Sequence, residues 1–347
     1  MFKKISTATV AVAAALALAA CAPQGPVTTQ SPTTTQSEAQ LLEKDSLVIY
    51  SGRSEALVQP LIDLFTEETG IKVEVRYAGS AELAAQLLEE GNNSPADIFF
   101  AQDAGALGAI AKAGLFAPVP AESLGLVDPA YSAADGSWVG VSGRVRAFNY
   151  NPSLVTEIPT SVFELAEPSW QGKIGIAPTN ASFQAFVTAM VVLEGEEKTS
   201  AWLAGMKQNS VIYEKNGAIL EAVESGQVAA GLINHYYWFA KAKEVGAENM
   251  TSKLSGFASG DVGNLVNVAG AGIITDSTAA RAFIEFLLSE TAQRYFAVET
   301  SEYPLIQGID VIEGLVPMSE IPAPKIDLSD LDSLDKTLEL IRAAGLL

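Results

Sequence analysis

The chain has 347 residues, of which 21 are basic and 41 are acidic, so its formal net charge is −20. A charge of this size argues against nucleic acids and anionic membranes as partners, because both would be repelled. The length is sufficient for about two domains with substantial cores.

The first twenty residues predict an export signal. Two lysines lie within the first five residues, and the run of alanine and leucine that follows is short for a membrane span. The run ends in Leu-Ala-Ala-Cys21, which resembles the lipobox of bacterial lipoproteins, where the cysteine becomes the lipid-bearing first residue. Cys21 is the only cysteine, so an intramolecular disulfide is impossible. An ordinary signal peptide with an incidental cysteine is the alternative.

The segment after Cys21 consists mainly of proline, threonine, glutamine and serine, as far as about residue 45. Such a segment buries too little apolar surface to offset the entropy lost on ordering, so we expect a flexible tether over residues 21–45. The leader (1–20), the lipid-bearing cysteine and the tether together predict a domain anchored to the outer face of a bacterial membrane.

Strand and helix patterns alternate in the folded part, which predicts βαβ units and mostly parallel sheets. The first series predicts strands at 47–50, 71–77 and 96–101 and helices between Ser54 and Gly70, at 81–90 and at 104–113. The second series predicts strands at 146–150, 173–177, 211–213, 227–233 and 268–274 and helices at 182–193, 216–224, 236–245, 278–288 and 333–344.

This order predicts an α/β fold of two lobes, each a mostly parallel sheet flanked by helices, with a ligand cleft between them. The first lobe comprises 46–147 and about 263–312, and the second comprises 148–262 and about 313–347. Hinge closure around a ligand is the motion expected of such a body.

Enzyme signatures are missing from the sequence. A single histidine, His235, excludes a pair of histidine metal ligands, and no G-x-S-x-G, Walker or G-x-G-x-x-G motif follows a predicted strand. We therefore expect a protein that is not an enzyme. An exported enzyme or a structural lipoprotein is the rival class.

Two phenols in tandem, Tyr236 and Tyr237, stand at a predicted strand-to-helix turn, where α/β proteins bind ligands. The alternative is that they pack into the core. Tyr150, at the end of the segment that begins the second lobe, offers a third phenol. Three phenolates match the charge of a trivalent cation, and only a strong Lewis acid such as Fe³⁺ ionises phenols with a pKa near 10.

Several motifs make the chain similar to one family from about Leu47 to the C-terminus. They are Val-Ile-Tyr50-Ser-Gly-Arg, Thr69-Gly-Ile-Lys-Val, Ser94-Pro-Ala-Asp-Ile-Phe, Val141-Ser-Gly-Arg, Trp170-Gln-Gly-Lys-Ile-Gly, Asn234-His-Tyr-Tyr-Trp and Glu302-Tyr-Pro-Leu. On these motifs the chain resembles the bacterial ferric-ion-binding proteins, the extracytoplasmic solute-binding components of iron uptake transporters. The resemblance implies a type II periplasmic-binding-protein-like fold, a monomer that closes around Fe³⁺ and delivers it to an ABC transporter permease.

The resemblance also implies the metal ligands. The family's tandem tyrosines correspond to Tyr236 and Tyr237, and several members have a third tyrosine placed like Tyr150. Ser54 and Gln102 stand where other members have a histidine and a glutamate ligand. Without this histidine and glutamate, the resemblance implies a tyrosine-dominated site that is completed by water or by a small anion such as carbonate.

An anion seat is expected where residues 179–182 lie between a strand and a helix, because helix N-termini bind anions. Family members place anion contacts at this turn and at two asparagines, and positive charge could come from Arg144 and Arg146. Helix caps are the alternative for Asn180 and Asn216, a cap is the favoured interpretation of Ser54, and ion pairs are the alternative for the two arginines. Asp103 could contact a bound water, and His235 is expected to point away from the tyrosines. The anion-contacting or supporting residues are thus Asn180, Ala181, Ser182, Asn216, Asn234, Arg144 and Gln102.

A receptor of the same fold for a small organic anion, a phosphonate or a polyamine is the alternative function.

Overall fold

The computed structural model describes residues 41–347; the predicted leader, Cys21 and residues 22–40 of the tether lie outside this range. The strands are β1 Ser46–Ser51, β2 Lys72–Tyr77, β3 Ile98–Ala101, β4 Trp138–Tyr150, β5 Ile174–Ile176, β6 Ser210–Ile212, β7 Ala230–Asn234, β8 Lys253–Ser255, β9 Val266–Ile273 and β10 Tyr303–Pro304. The helices are α1 Glu55–Thr69, α2 Ser80–Glu90, α3 Ala104–Lys112, α4 Ala121–Leu124, α5 Ala181–Glu194, α6 Glu196–Asn209, α7 Asn216–Glu224, α8 His235–Val245, α9 Thr278–Leu287, α10 Glu290–Val298 and α11 Leu334–Ala343.

The first lobe is built on the strand order β2-β1-β3-β9-β4. β1 is parallel to β2 and β3, whereas β9 is antiparallel to β3 and to the first part of β4. Buried aromatic side chains fill the space under α1 and α9, where the ring centroids of Phe65 and Phe283 lie 5.1 Å apart. The interior of this lobe is therefore apolar, and polar chemistry is left to the strand ends.

The second lobe begins where β4 passes from one sheet into the other. The last five residues of β4 pair with β7, and β5 lies parallel to β6 and β7. Both lobes thus share one long strand. The expectation of mostly parallel sheets is wrong, because β4 and β9 run antiparallel to their neighbours and make each sheet mixed.

The helix boundaries follow local chemistry. α1 ends at Gly70, whose φ of 73° is in the left-handed region and whose N–H donates to the Thr66 carbonyl. Such a conformation favours glycine and stops a helix. Pro60 lies inside α1. The prediction of a helix over 216–224 is confirmed.

The last residues of the expected tether are ordered. Leu42 forms a parallel bridge with Ser277, and its carbonyl accepts the Thr278 N–H at 3.0 Å. Lys44 Nζ donates to the buried Asp97 carboxylate at 2.5 Å. Residues 42–44 are therefore tied to the folded part of the chain, although the composition predicts a flexible tether as far as about residue 45. No helix between residues 41 and 347 is both long enough and apolar enough to cross a membrane.

The C-terminal helix packs beside the second lobe. α11 lies against α5, and the hydroxyl groups of Thr188 and Thr337 are 2.8 Å apart. The helix predicted at 333–344 is therefore present, as α11, and contacts α5. The lobe boundaries given above stay predictions.

Candidate metal and anion site

Polar side chains of both lobes meet at the carboxyl ends of parallel strands. Open α/β sheets bind ligands at such ends, because the loops that follow the strands converge there. The strands concerned are β1, β3, β5, β6 and β7, followed respectively by Arg53, Gln102, residues 180–182, Asn216 and the tandem tyrosines. The residues named here, which were predicted to form a site or lie next to such residues, therefore follow carboxyl strand ends.

Tyr236 and Tyr237 lie on the first turn of α8, directly after β7. Successive residues of a helix are separated by about 100°, so neighbouring side chains can share a side, unlike those of a strand. Their rings stack, with centroids 4.5 Å apart and planes 27° apart. The first turn of a helix also favours negative charge, which assists ionised phenols.

The phenol of Tyr237 resists ionisation without a partner. Burial raises the pKa of Tyr237 well above its usual range, and the neighbouring Tyr236 raises it further. The Arg53 and Arg144 guanidiniums oppose this rise in the pKa. A cation that binds the Tyr237 oxygen must therefore displace a proton at neutral pH.

Arg53 and Glu302 form a buried ion pair beside the tyrosines. Arg53 Nη1 and Nη2 donate to the two Glu302 carboxylate oxygens at 3.0 and 2.6 Å. Burial alone would lower the pKa of Arg53, but Glu302 reverses this and holds that pKa above its usual range. Sequence reasoning missed this pair. Its members are 249 residues apart, and the only signal was that both lie in the motifs of the family resemblance.

Arg144 and Arg146 bring positive charge to the floor of the site from β4. Their exposed fractions are 1% and 3%. Arg146 Nη2 donates to the Leu232 carbonyl at 2.9 Å, whereas Arg146 Nη1 and both Nη atoms of Arg144 have no partner within residues 41–347. Burial lowers the pKa of Arg146 to about 9, so it is still protonated at neutral pH. Neither arginine donates a hydrogen bond to a carboxylate within the described residues, so the ion-pair alternative is not supported.

Ser182 joins the two lobes across the cleft. Its Oγ accepts hydrogen bonds from Gln102 Nε2 at 2.8 Å and from Asn234 Nδ2 at 3.1 Å. Because Oγ accepts two bonds, the Ser182 hydroxyl hydrogen is free to donate.

A cavity of about 10 Å³ lies next to Ser182, and it offers donors to an anion. Its size corresponds to about one water molecule. Guanidinium N–H groups of Arg144 and Arg146 without described partners, and the Ser182 hydroxyl, belong to its wall. The lining residues are Arg144, Arg146, Ser182, Phe186, Asn234, Leu265 and Asn267.

The asparagines of the predicted anion seat differ in their surroundings. Asn180 caps α5, and its Oδ1 accepts the Ser182 N–H at 3.0 Å, beside Ala181. Asn216 is the first residue of α7 rather than its cap, and its buried side-chain amide has no partner within the described part of the chain. Asn216 is therefore the asparagine with free hydrogen-bonding capacity.

Two further predicted residues lie at helix starts. Ser54 occupies the N-cap position of α1, as interpreted from the sequence, but its exposed side chain makes no capping hydrogen bond. Asp103 caps α3 by accepting the Ala106 N–H at 3.2 Å, while its other oxygen has no described partner.

Tyr150 does not lie with the tandem pair. β4 is antiparallel to β7, so their carboxyl ends lie at opposite ends of the sheet: Arg146 faces Asn234, whereas Tyr150 faces Ala230. The four residues from Arg146 to Tyr150 span roughly 13 Å at about 3.3 Å per residue. The Tyr150 ring stacks on Phe148 at 5.8 Å. The expectation of a third phenol is therefore corrected, and Tyr150 is a packing residue.

His235 points away from the phenols, as expected from the sequence. Its ring nitrogens bind the main chain at Val145 and Ser301, and its exposed fraction is 1%. Burial lowers the pKa of His235 to about 4. Within residues 41–347, no three histidine, cysteine, aspartate or glutamate side chains are grouped as metal ligands would be.

The chain is similar to known binding proteins over most of its length. The family model described as bacterial extracellular solute-binding protein matches residues 47–298. The Fe(3+)-binding periplasmic protein of Serratia marcescens is 38% identical over 307 residues, which cover 87% of this chain and 90% of that protein.

Two solved structures share the architecture. Iron-bound HitA from Pseudomonas aeruginosa superposes with a TM-score of 0.82 at 36% identity, covering 86% of this chain and 99% of its own. A Trichodesmium protein in complex with iron and citrate gives a TM-score of 0.73 at 26% identity, with coverages of 86% and 99%. These matches confirm the predicted two-lobed periplasmic-binding-protein-like fold. The chain therefore belongs to the bacterial extracellular solute-binding proteins, on the branch that contains the ferric-iron-binding proteins, and it is a binding protein rather than an enzyme.

Proposed function

We propose that this protein captures ferric iron with the phenolates of Tyr236 and Tyr237, together with a small anion. The observation that carries the proposal is the stacked pair of phenol rings on the first turn of α8, beside buried arginines. The centroids of the two rings are 4.5 Å apart. Phenolate oxygen is a hard donor, and a strongly charged Lewis acid displaces phenol protons at neutral pH. The relatives named above are described as binding ferric iron or as iron-bound.

The charges of the site call for an anion. Two phenolates leave a ferric ion with one net positive charge, and Arg144 and Arg146 add two more, of which buried Asp103 offsets at most one; Arg53 is neutralised by Glu302. Uncompensated charge in a buried site costs several kcal/mol or more. Carbonate or a polycarboxylate would supply the missing negative charge, and the Trichodesmium relative was solved with iron and citrate.

The donors around Ser182 give the anion a seat. The cavity there holds about 10 Å³, so in this arrangement of the lobes it admits a single atom of a larger anion. The two arginines and the Ser182 hydroxyl line this cavity and are free to bind oxygen atoms, and the Asn216 amide, which does not line it, also has no described partner. Gln102 contacts Ser182 instead of serving as the glutamate ligand of other family members.

Transport follows from membership of the family. Binding proteins of this kind work outside the cytoplasm, and we propose that this one is anchored through Cys21 and delivers iron as a monomer to an ABC transporter permease. Iron removes protons from the phenols on binding, so affinity should decrease as the pH decreases.

The rival ligands differ in how well they suit the charges. A polyamine would be repelled by the buried guanidiniums of Arg144 and Arg146, because arginine side chains carry a positive charge. A small organic anion or phosphonate would suit the arginines but would leave the tandem phenols without a specific role. The anion receptor is therefore the rival to test.

Titration of metal-free protein with ferric ion, in buffers with and without carbonate or citrate, separates these functions. We expect a visible phenolate-to-iron charge-transfer band that is strongest with the anion present, and protons released in proportion to the iron bound. Calorimetry with the anions and phosphonates alone should show little heat. Absence of the band, together with tight binding of an organic anion alone, would identify an organic-anion receptor instead.

A further inference from the structure

We infer that His235 is a positioning residue that fixes the first turn of α8, and with it Tyr236 and Tyr237, against the first lobe. The inference rests on the proposed capture of iron and concerns the rate at which iron leaves the site. His235 does not touch the cargo. It acts through the main chain that it binds and through the tyrosines that follow it in sequence.

Two main-chain partners hold the imidazole in one tautomer. Nδ1 accepts the Val145 N–H at 3.2 Å, and Nε2 lies 2.9 Å from the Ser301 carbonyl oxygen, to which it must donate. Neutral histidine with its hydrogen on Nε2 satisfies both partners at once. Val145 belongs to β4, which is shared by the two lobes, and Ser301 belongs to the first-lobe segment between α10 and β10. His235 therefore links the second-lobe helix to the first lobe at two points.

The Ser301 partner has an unusual backbone. Ser301 is the non-glycine residue with a positive φ, 56°, within the described range. Residues other than glycine adopt such values at a cost, and they persist where the surroundings hold them. The His235 bond to the Ser301 carbonyl is one such constraint, and the adjoining Glu302, bound by Thr300 Oγ1 at 3.0 Å, is another.

The contacts of His235 and Ser301 also connect the tyrosines to the buried pair of Glu302 and Arg53. Glu302 follows Ser301 and grips Arg53 through two hydrogen bonds, and the Arg53 guanidinium acts electrostatically on both tyrosines. From Tyr236 the chain of contacts runs through His235, Ser301 and Glu302 to Arg53, whose link to the tyrosines is electrostatic. A shift of the His235 contact would therefore change the positions of both the phenol oxygens and the Arg53 guanidinium.

Aromatic packing fixes the remaining freedom of the imidazole. Its centroid lies 4.7 Å from that of Tyr303 in the first lobe, and 5.9 Å from that of Tyr236, at an interplanar angle of 86°. The side chain is thus held by hydrogen bonds in its plane and by rings on its faces and edge. A movement of the lobes that carries Ser301 and Tyr303 away from α8 would separate these contacts, and holding them together would slow the release of bound iron.

The test compares iron release from wild type and from His235→Phe, His235→Gln and His235→Asn. Phenylalanine keeps a ring but loses both bonds, glutamine keeps a donor for Ser301, and asparagine keeps an acceptor near Val145. We expect His235→Phe to lose iron to a competing chelator about 10-fold faster than wild type. This is the low end of the roughly 10- to 100-fold effects that follow the loss of residues that orient metal ligands. The charge-transfer band of His235→Phe should shift, and His235→Gln should restore both properties more fully than His235→Asn.

Tyr303→Phe is the matched control. It removes the hydroxyl that donates to the Val316 carbonyl at 2.9 Å but keeps the ring against His235, so its release rate and spectrum should match wild type. A His235→Phe protein that is less stable but has a wild-type band and release rate would overturn the inference. If that variant does not fold, wild-type behaviour of His235→Asn has the same meaning. Failure of wild type to take up iron would instead remove the proposed function itself.

Discussion

Replacement of both Tyr236 and Tyr237 by phenylalanine is expected to abolish the ferric charge-transfer band and to remove specific iron binding. The change deletes only two oxygen atoms from rings that stay stacked, so it tests the donors rather than the packing. Each single replacement should weaken binding by more than the roughly 10- to 100-fold that removal of an outer-shell partner costs. Visible absorption and competition with a chelator measure the effect.

Tyr150→Phe is the matched control for these replacements. It makes the same chemical change at a phenol that the sequence favoured and that the structure places at the far end of β4. We expect its band and affinity to equal those of wild type. Iron binding that is weakened by Tyr150→Phe and preserved in the double variant would contradict the assignment of the donors.

Glu302→Ala should have the largest effect on stability among the residues around the site. Glu302 has an exposed fraction of 1%, and its removal leaves the buried Arg53 guanidinium without its partner. Removing one member of a buried pair typically costs about 3–5 kcal/mol. Urea unfolding of the metal-free protein measures the loss. Glu299 lies three residues before Glu302 and forms a half-exposed ion pair with Lys243. Glu299→Ala should therefore lower the free energy of unfolding by less than about 1 kcal/mol.

The stability difference between wild type and Glu302→Ala depends on pH, and its direction follows from the lowered pKa of Glu302. Burial would raise the pKa of Glu302, but Arg53 holds it below its ordinary value of 4.5. The pair therefore stabilises the folded state fully above pH 4.5 and less as the pH falls through the lowered pKa. Wild type and Glu302→Ala should thus converge in stability in acid. A difference that grows as the pH falls would contradict the ion pair.

Much of the fold could be predicted because its signals are local. The helix over 216–224 has apolar positions at helical spacing, and α1 ends at a glycine that adopts a left-handed conformation. The position of the tandem tyrosines also needed only local information, since a strand followed directly by a helix places them at a carboxyl strand end. These features depend on residues within one or two turns of each other.

Other features depend on contacts that a linear pattern does not record. α6 was missed, and it contains Gly205, where a Cβ atom would lie 2.7 Å from the Ala166 carbonyl oxygen. Close packing therefore requires a residue that weakens the helical signal. The Tyr150 assignment failed because the antiparallel direction of β4 against β7 is a tertiary property. The same is true of the pairing of Arg53 with Glu302.

A crystal structure of the protein loaded with ferric iron and carbonate or citrate tests the central claim most directly. The account predicts iron bound by the phenolate oxygens of Tyr236 and Tyr237, an anion in contact with Ser182 or the β4 arginines, and Tyr150 outside the coordination sphere. Iron bound elsewhere, or bound without either of the tandem tyrosines, would contradict it.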